Sequence, residues 1–167
     1  MSSLNNDLFV FGGIAGNSII HFNIKFLIDG ELTSNELYVT KNILYDQPCN
    51  WTIIQTKGYS PECRYGHCMV YYNGCIILFG GHSNKFLNDV WIINIENLQI
   101  ECCWNKIIIN QNNPAPCPRM YHAFAICTEG SSNGLIVTFG GRGKDNLSLN
   151  DLWGLRRHRN DQWDWVR

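Results

Sequence analysis

One stretch of this chain occurs twice. The segment GCIILFGGHSNKFLNDVWII (residues 74–93) returns as GLIVTFGGRGKDNLSLNDLWGL (residues 134–155), with both ends kept and the middle changed. Self-similarity of this kind constrains a fold more than local propensity does, because each copy is one structural unit that buries its apolar faces only against its neighbours. The second unit runs Pro61, Arg64, Gly66-His67, the apolar run from Gly74 to Gly80-Gly81, Asn88-Asp89-Val90-Trp91 and Trp104. The third runs Pro118-Arg119, His122, the run from Gly134 to Gly140-Gly141, Asn150-Asp151-Leu152-Trp153 and Trp163. The first is looser: it opens directly at Leu8, reaches Gly12-Gly13, meets Asn35-Glu36-Leu37-Tyr38 only after an insertion over 14–34, and closes on Trp51. Units are therefore expected at 1–57 (incomplete), 58–112 (full) and 113–167 (full or nearly full).

Each unit reads as short strands, rich in β-branched and aromatic residues and bounded by Gly, Asn, Asp and Pro. No ten-residue window sustains a 3.6 period, so helix is nearly absent. The runs that end in Phe-Gly-Gly are apolar at almost every position instead of alternating, which requires cover on both faces. Sheets of about four strands that recur and cover one another are blades of a β-propeller. The expected fold is all-β: about three four-stranded antiparallel sheets forming an incomplete ring. In the insertion, Ile20, Phe22, Ile24 and Phe26 alternate with polar residues, either as an added strand or as the first unit's own third strand. The double glycines fit a turn with positive φ or a close approach of neighbouring backbone.

Composition removes several function classes. The formal net charge is −1, so nothing favours nucleic acid or an anionic membrane as partner. No run of eighteen apolar residues and no basic leader occur, so the chain is expected in the cytoplasm or nucleus, with its eight cysteines reduced. Those cysteines contain no CxxC pair, and no metal or cofactor is expected.

The double glycine after an apolar strand, the aromatic about a dozen residues later and the further Trp resemble kelch repeats over essentially the whole chain. Met120-Tyr121 stands where the second unit has Tyr65-Gly66, so the third copy loses a glycine. The C-terminal stretch DLWGLRRHRNDQWDWVR (residues 151–167) is similar to the last blade of kelch-domain serine/threonine protein phosphatases of plants and protists. That resemblance implies a propeller joined to a metallophosphatase domain. The Gly-Asp-x-His-Gly, Gly-Asp-x-Val-Asp-Arg-Gly and Gly-Asn-His-Glu motifs of such a domain, which would hold two metal ions, are missing here. The expectation is a non-catalytic protein-interaction module from the binding part of such an enzyme. Alternatives are a substrate-recruiting module of another assembly, such as a ubiquitin-ligase adaptor, and a fragment of a kelch-type copper oxidase.

Candidate residues divide by whether they repeat. Gly12, Gly13, Gly80, Gly81, Gly140 and Gly141, with Trp91, Trp104, Trp153 and Trp163, recur and are expected to pack successive sheets. Arg64 and Arg119 also recur, each ahead of a histidine; they are candidates for partner contact, but their repetition favours a framework role on backbone carbonyls. Recognition belongs more naturally to segments that differ between copies: His82, Asn84 and Lys85, then Arg142 and Lys144, and the insertion after Gly13, with Tyr65 and Tyr121 beside the arginines. The basic run Arg156, Arg157, His158, Arg159 precedes the turn residues Asn160-Asp161 and reads as a solvated hairpin tip. No catalytic residues are assigned. An unclosed stack leaves a blade face open, so the chain is expected either as a segment of a larger propeller or as a homodimer completing a six-bladed ring.

Overall fold

The computed structural model describes residues 2–4, 7–15, 26–28, 31–41, 50–96, 102–109 and 113–167. In chain order its strands are β1 (Ser2–Leu4), β2 (Asp7–Phe11), β3 (Ile14–Ala15), β4 (Phe26–Ile28), β5 (Glu31–Thr33), β6 (Leu37–Thr40), β7 (Trp51–Ile54) and β8 (Thr56–Lys57). They continue with β9 (Cys68–Tyr72), β10 (Cys75–His82), β11 (Phe86–Asn94), β12 (Cys102–Lys106), β13 (Ala123–Ile126), β14 (Ile136–Phe139), β15 (Leu152–Arg157) and β16 (Trp163–Val166). Among the described residues only two single 3-10 turns, Gly130–Ser132 and Lys144–Asn146, are helical. None is long and apolar enough to cross a membrane.

Three sheets correspond to the three units, in the orders β1-β2-β6-β7, β8-β12-β11-β10-β9 and β13-β14-β15-β16. The all-β kelch-like architecture expected from the repeats is present, without a closed ring. Two details differ from the sequence reading. The first unit does not open directly at Leu8, because β1 pairs antiparallel with β2 ahead of it and makes the sheet four-stranded. The second sheet has five strands: β8, leaving the first unit, runs parallel to β12 through Thr56↔Cys102 and Lys57↔Cys103. The same device recurs one unit on, where Ile109 bridges in parallel to Trp163. The insertion forms its own small sheet, β3-β5-β4, so the third strand of the first unit is β6. Ile20, Phe22 and Ile24 lie outside the described residues.

β10 shows why the repeated run is apolar throughout. Ile76 and Leu78 pack toward the first sheet in a cluster with Phe9, Phe11, Leu37, Val39 and Trp104. Ile77 and Phe79 point the other way, into a cluster with Ile136, Trp153, Leu155 and Trp165 of the third sheet. Period-two alternation sends successive side chains to opposite faces, and here both faces meet a neighbouring sheet. All four side chains are essentially inaccessible, and each contributes about 1.5–3 kcal/mol by leaving water. A two-residue turn, Asn73-Gly74, joins β9 to β10 with positive φ at both positions (46° and 75°), matching the twist of the hairpin.

The double glycines, which at Gly80-Gly81 shift the register inside β10, are needed for two reasons. Gly80 and Gly81 have φ of +65° and +98°, and a Cβ on either would stand 2.8 Å from a carbonyl oxygen, that of Arg119 or of Tyr65. The close approach is itself a bond: Gly81 N–H donates to Arg119 O at 2.8 Å, as Gly13 N–H donates to Arg64 O at 2.9 Å. Each turn thus receives the arginine segment of the following unit.

Candidate functional site

The recurring arginines are framework. Arg64 Nη1 and Nη2 donate to the two carboxylate oxygens of Asp89 at 2.6 and 3.0 Å, Nη1 also donates to Gly80 O, and Nε donates to Glu62 O. Arg119 repeats the pattern on Asp151 (2.8 and 2.7 Å), Gly140 O and Cys117 O. The same carboxylates accept from the indole N–H of Trp91 and Trp153, each at 2.7 Å. In the first unit Tyr38 O–H donates to Glu36, the same pairing with other residues. Burial alone would raise the Asp89 carboxyl, but the Arg64 hydrogen bonds and charge outweigh it and hold it low. The Arg119 hydrogen bonds bring Asp151 down to about 2. Arg64 and Arg119 are 0% exposed, so as partner contacts they are corrected: no partner reaches a guanidinium whose donors all face inward. In the sequence Arg and Asn-Asp-Trp stand apart, and the grip of the Arg on the Asp is visible only in the fold. The signal was the recurrence of both within one unit. The third unit's counterpart of Pro61 is likewise Pro116 and not Pro118, since Asn35 and Asn88 donate to the carbonyls of Pro61 and Pro116 respectively.

The repeated histidines sit in the seams. His122 is 3% exposed, its ring packs against Phe79 at 4.9 Å, and neither ring nitrogen has a hydrogen-bond partner among the described residues. His67 packs edge-on against Phe11 at 5.6 Å. Burial, reinforced by the Arg119 charge, lowers His122 to about 4; burial, reinforced by nearby charge including Arg64, lowers His67 to about 3. Both are neutral in the folded chain and protonate near 6.5 when unfolded, so the unfolded state takes up more protons as pH falls below that value. Stability is therefore expected to be full above pH 7 and to decline from about pH 6.5 toward pH 4, by about 1.4 kcal/mol for each imidazole at pH 5.5. Urea melts at pH 7.5 and 5.5 on wild type and His122→Phe check this; an unchanged pH slope in the variant contradicts it.

The remaining candidates gather on one rim above the buried arginines. Tyr65 and His82 exchange backbone hydrogen bonds at 3.0 and 2.8 Å, and their rings stand 5.4 Å apart. His82 meets Phe86 at 4.8 Å, and Tyr65 meets Tyr121 at 6.4 Å across the seam. Asn84, Lys85, Arg142 and Lys144 are exposed. Arg142 exchanges backbone hydrogen bonds with Met120 and bridges to Ser148. Tyr121 takes the glycine's backbone as well as its place: its φ is +54°, beside +64° at Gly66. For a bulky residue that conformation costs roughly 1–2 kcal/mol.

The basic run lies elsewhere. Arg156, Arg157, His158 and Arg159 line a cavity of about 460 Å³ with Tyr72, Ser131 and neighbours. Arg156 and His158 pair with Asp164, and Arg157 with Asp161. Among the described residues no three His, Cys, Asp or Glu side chains converge as a metal site, and none of the seven described cysteines is joined in a disulfide.

Stacked four- and five-stranded sheets, sealed by a double-glycine turn on an arginine carbonyl and by an aspartate bonded to arginine and indole, define a segment of kelch-type propeller. The chain belongs to the family of the KLHDC2/KLHL20/DRC7 Kelch-repeats domain, whose profile matches residues 1–167. It is 30% identical over 137 residues to Serine/threonine-protein phosphatase BSL2 of Arabidopsis thaliana, covering 81% of this chain and 12% of that protein. It is 27% identical over 155 residues to Acyl-CoA-binding domain-containing protein 5 of the same plant, covering 89% and 22% respectively. It is also 30% identical over 128 residues to Host cell factor 1 of Rattus norvegicus, covering 73% and 6%. The chain thus spans less than a quarter of each of these relatives. The similarity to kelch repeats and to kelch-domain serine/threonine phosphatases, read above from the repeats and from residues 151–167, agrees with these matches.

Proposed function

We propose that this chain binds protein partners without catalysing a reaction, as the targeting part of a kelch-domain serine/threonine phosphatase. The observation that carries the reading is a division of labour. Residues that repeat, such as Arg64, Asp89, Arg119 and Asp151, are buried or committed to the framework, whereas the segments that differ between units, 82–86 and 142–149, stand together on one rim. A rigid scaffold that displays variable loops binds with little ordering cost. Similarity to Serine/threonine-protein phosphatase BSL2 supports the parent assignment. The test is to replace 83–85 and 142–148 by Gly/Ser segments of equal length. Partners captured by the wild type are expected to be lost with the denaturation midpoint unchanged; equal capture by both proteins refutes a rim-based function. Turnover of a phosphorylated substrate by the purified chain with any divalent metal would refute the non-catalytic part.

Closure of the stack belongs to the same proposal. Phe139 and Leu152 are 51% and 56% exposed on the outer face of the third sheet, apolar surface that a following unit covers at Phe11 and Phe79. A further kelch unit of a longer chain, or a second copy completing a ring of about six blades, supplies that cover. Mass in solution at several concentrations separates the two.

A further inference from the structure

Tyr121 occupies a backbone position that the preceding unit gives to glycine. The left-handed region is sparsely open to L-residues, and a bulky side chain there is an outlier whose persistence calls for a return elsewhere. Burial is not that return, because Tyr121 is 58% exposed. Its orientation is nevertheless fixed from below: Tyr121 N–H donates to Gly66 O at 2.7 Å, and the ring lies over Gly66 so closely that a Cβ there would stand 3.1 Å from it. Gly66 is the bare floor on which the ring of the next unit rests. A rigid, outward aromatic with little rotamer freedom left to lose is the profile of an interface anchor.

The ring does not stand alone. From Tyr121 a row continues over Tyr65 at 6.4 Å, His82 at 5.4 Å and Phe86 at 4.8 Å, crossing the seam between the second and third sheets. The two loops beside it carry Lys85, Arg142 and Lys144, against Asp145 as their one carboxylate. Asp89 and Asp151 beneath are paired with Arg64 and Arg119. The two loops therefore carry a net positive charge on a chain whose net charge is −1.

Resting on the protein-binding reading above, we infer that Tyr121 anchors a docking surface for an extended, acidic segment of a partner protein, laid along the row Tyr121–Tyr65–His82–Phe86 and flanked by Lys85, Arg142 and Lys144. Apolar or aromatic side chains of the segment pack on the rings, and its carboxylates face the three cations. A single-stranded nucleic acid would also stack on aromatics, but three cations on an overall anionic chain are few for a phosphate backbone.

The experiment pans the 167-residue chain against a display library of random dodecapeptides. Enriched peptides are then synthesised with a fluorescein label and titrated by anisotropy, with oligo-dT as competitor. Enriched sequences are expected to be net negative with at least one aromatic or large aliphatic residue. Tyr121→Gly and Tyr121→Asn, which suit the local backbone, are expected to weaken binding about tenfold or more while leaving the denaturation midpoint unchanged or raised. Lys85→Glu with Arg142→Glu is expected to do the same to binding. A lowered midpoint with binding retained makes Tyr121 a packing residue and overturns the inference. Enriched peptides that are cationic, are insensitive to Tyr121, or are displaced by oligo-dT overturn it too. If acidic peptides bind at full strength to both Tyr121 variants, protein binding stands and this surface falls. If nothing is enriched, both fall.

Discussion

Arg64→Met is expected to destabilise the fold by about 3–5 kcal/mol, the range seen when one member of a buried ion pair is removed. The side chain is wholly enclosed, and its loss leaves the Asp89 carboxylate, itself only 14% exposed, without its cation and takes a donor from Gly80 O. The cost arises mostly from what is stranded and less from the lost bond itself, because an unpaired buried group bears its full desolvation penalty. Two further outcomes follow. Arg64→Lys is expected to recover only part of the loss, since an ammonium cannot match the two-point geometry on Asp89. Arg64→Met with Asp89→Leu is expected to be less damaging than the sum of the single changes, because no charge is then left buried. Equilibrium urea unfolding measures all three. A loss below about 1 kcal/mol in Arg64→Met, the level of an exposed pair, would return the arginine to the list of contact residues.

Phe79→Ala and Phe139→Ala, identical changes at equivalent repeat positions, are expected to differ severalfold. Phe79 is fully buried, with His122 at 4.9 Å, Phe124 at 5.7 Å and Trp165 at 4.9 Å around its ring. Its truncation opens a cavity in the seam and is expected to cost about 3–5 kcal/mol. Phe11 has the same surroundings one unit earlier, with His67 at 5.6 Å and Trp104 at 5.3 Å. Phe139 ends the equivalent strand but is half-exposed, and its truncation is expected to cost under about 1 kcal/mol. Denaturation of both variants over a range of protein concentrations gives the comparison. Equal losses that grow with concentration would mean that the outer face of the third sheet is covered in solution by another copy.

Much of this architecture is legible in the sequence. Ile76, Ile77, Leu78 and Phe79 form an unbroken apolar run, and such a run in a strand already requires neighbours on both faces. Gly140-Gly141 follows the end of β14 as its sequence suggests, whereas Gly80-Gly81 shifts the register inside β10; at both places only glycine accepts the backbone conformation together with the approach of a carbonyl. The site was less legible. The parallel pairing of β8 with β12 joins residues far apart in the chain through backbone groups alone and leaves no side-chain pattern. Tyr121 looked like a departure from the repeat, yet its backbone follows that of Gly66, and its N–H is bonded to Gly66 O.

The order of residues by itself determined the number of units, their strand character and the identity of the packing marks, because period and composition are local properties that each copy states anew. Only the tertiary structure decided which repeated residues are shut inside and which changing ones share a surface. Repetition favoured a framework role for Arg64 and Arg119, but the partners that hold them, Asp89 and Asp151, were seen only in the fold. Tyr65, His82 and Tyr121 became one row only when two sheets met. Burial and adjacency depend on what comes near in space, and a single strand of text carries that information only jointly, across all its residues at once.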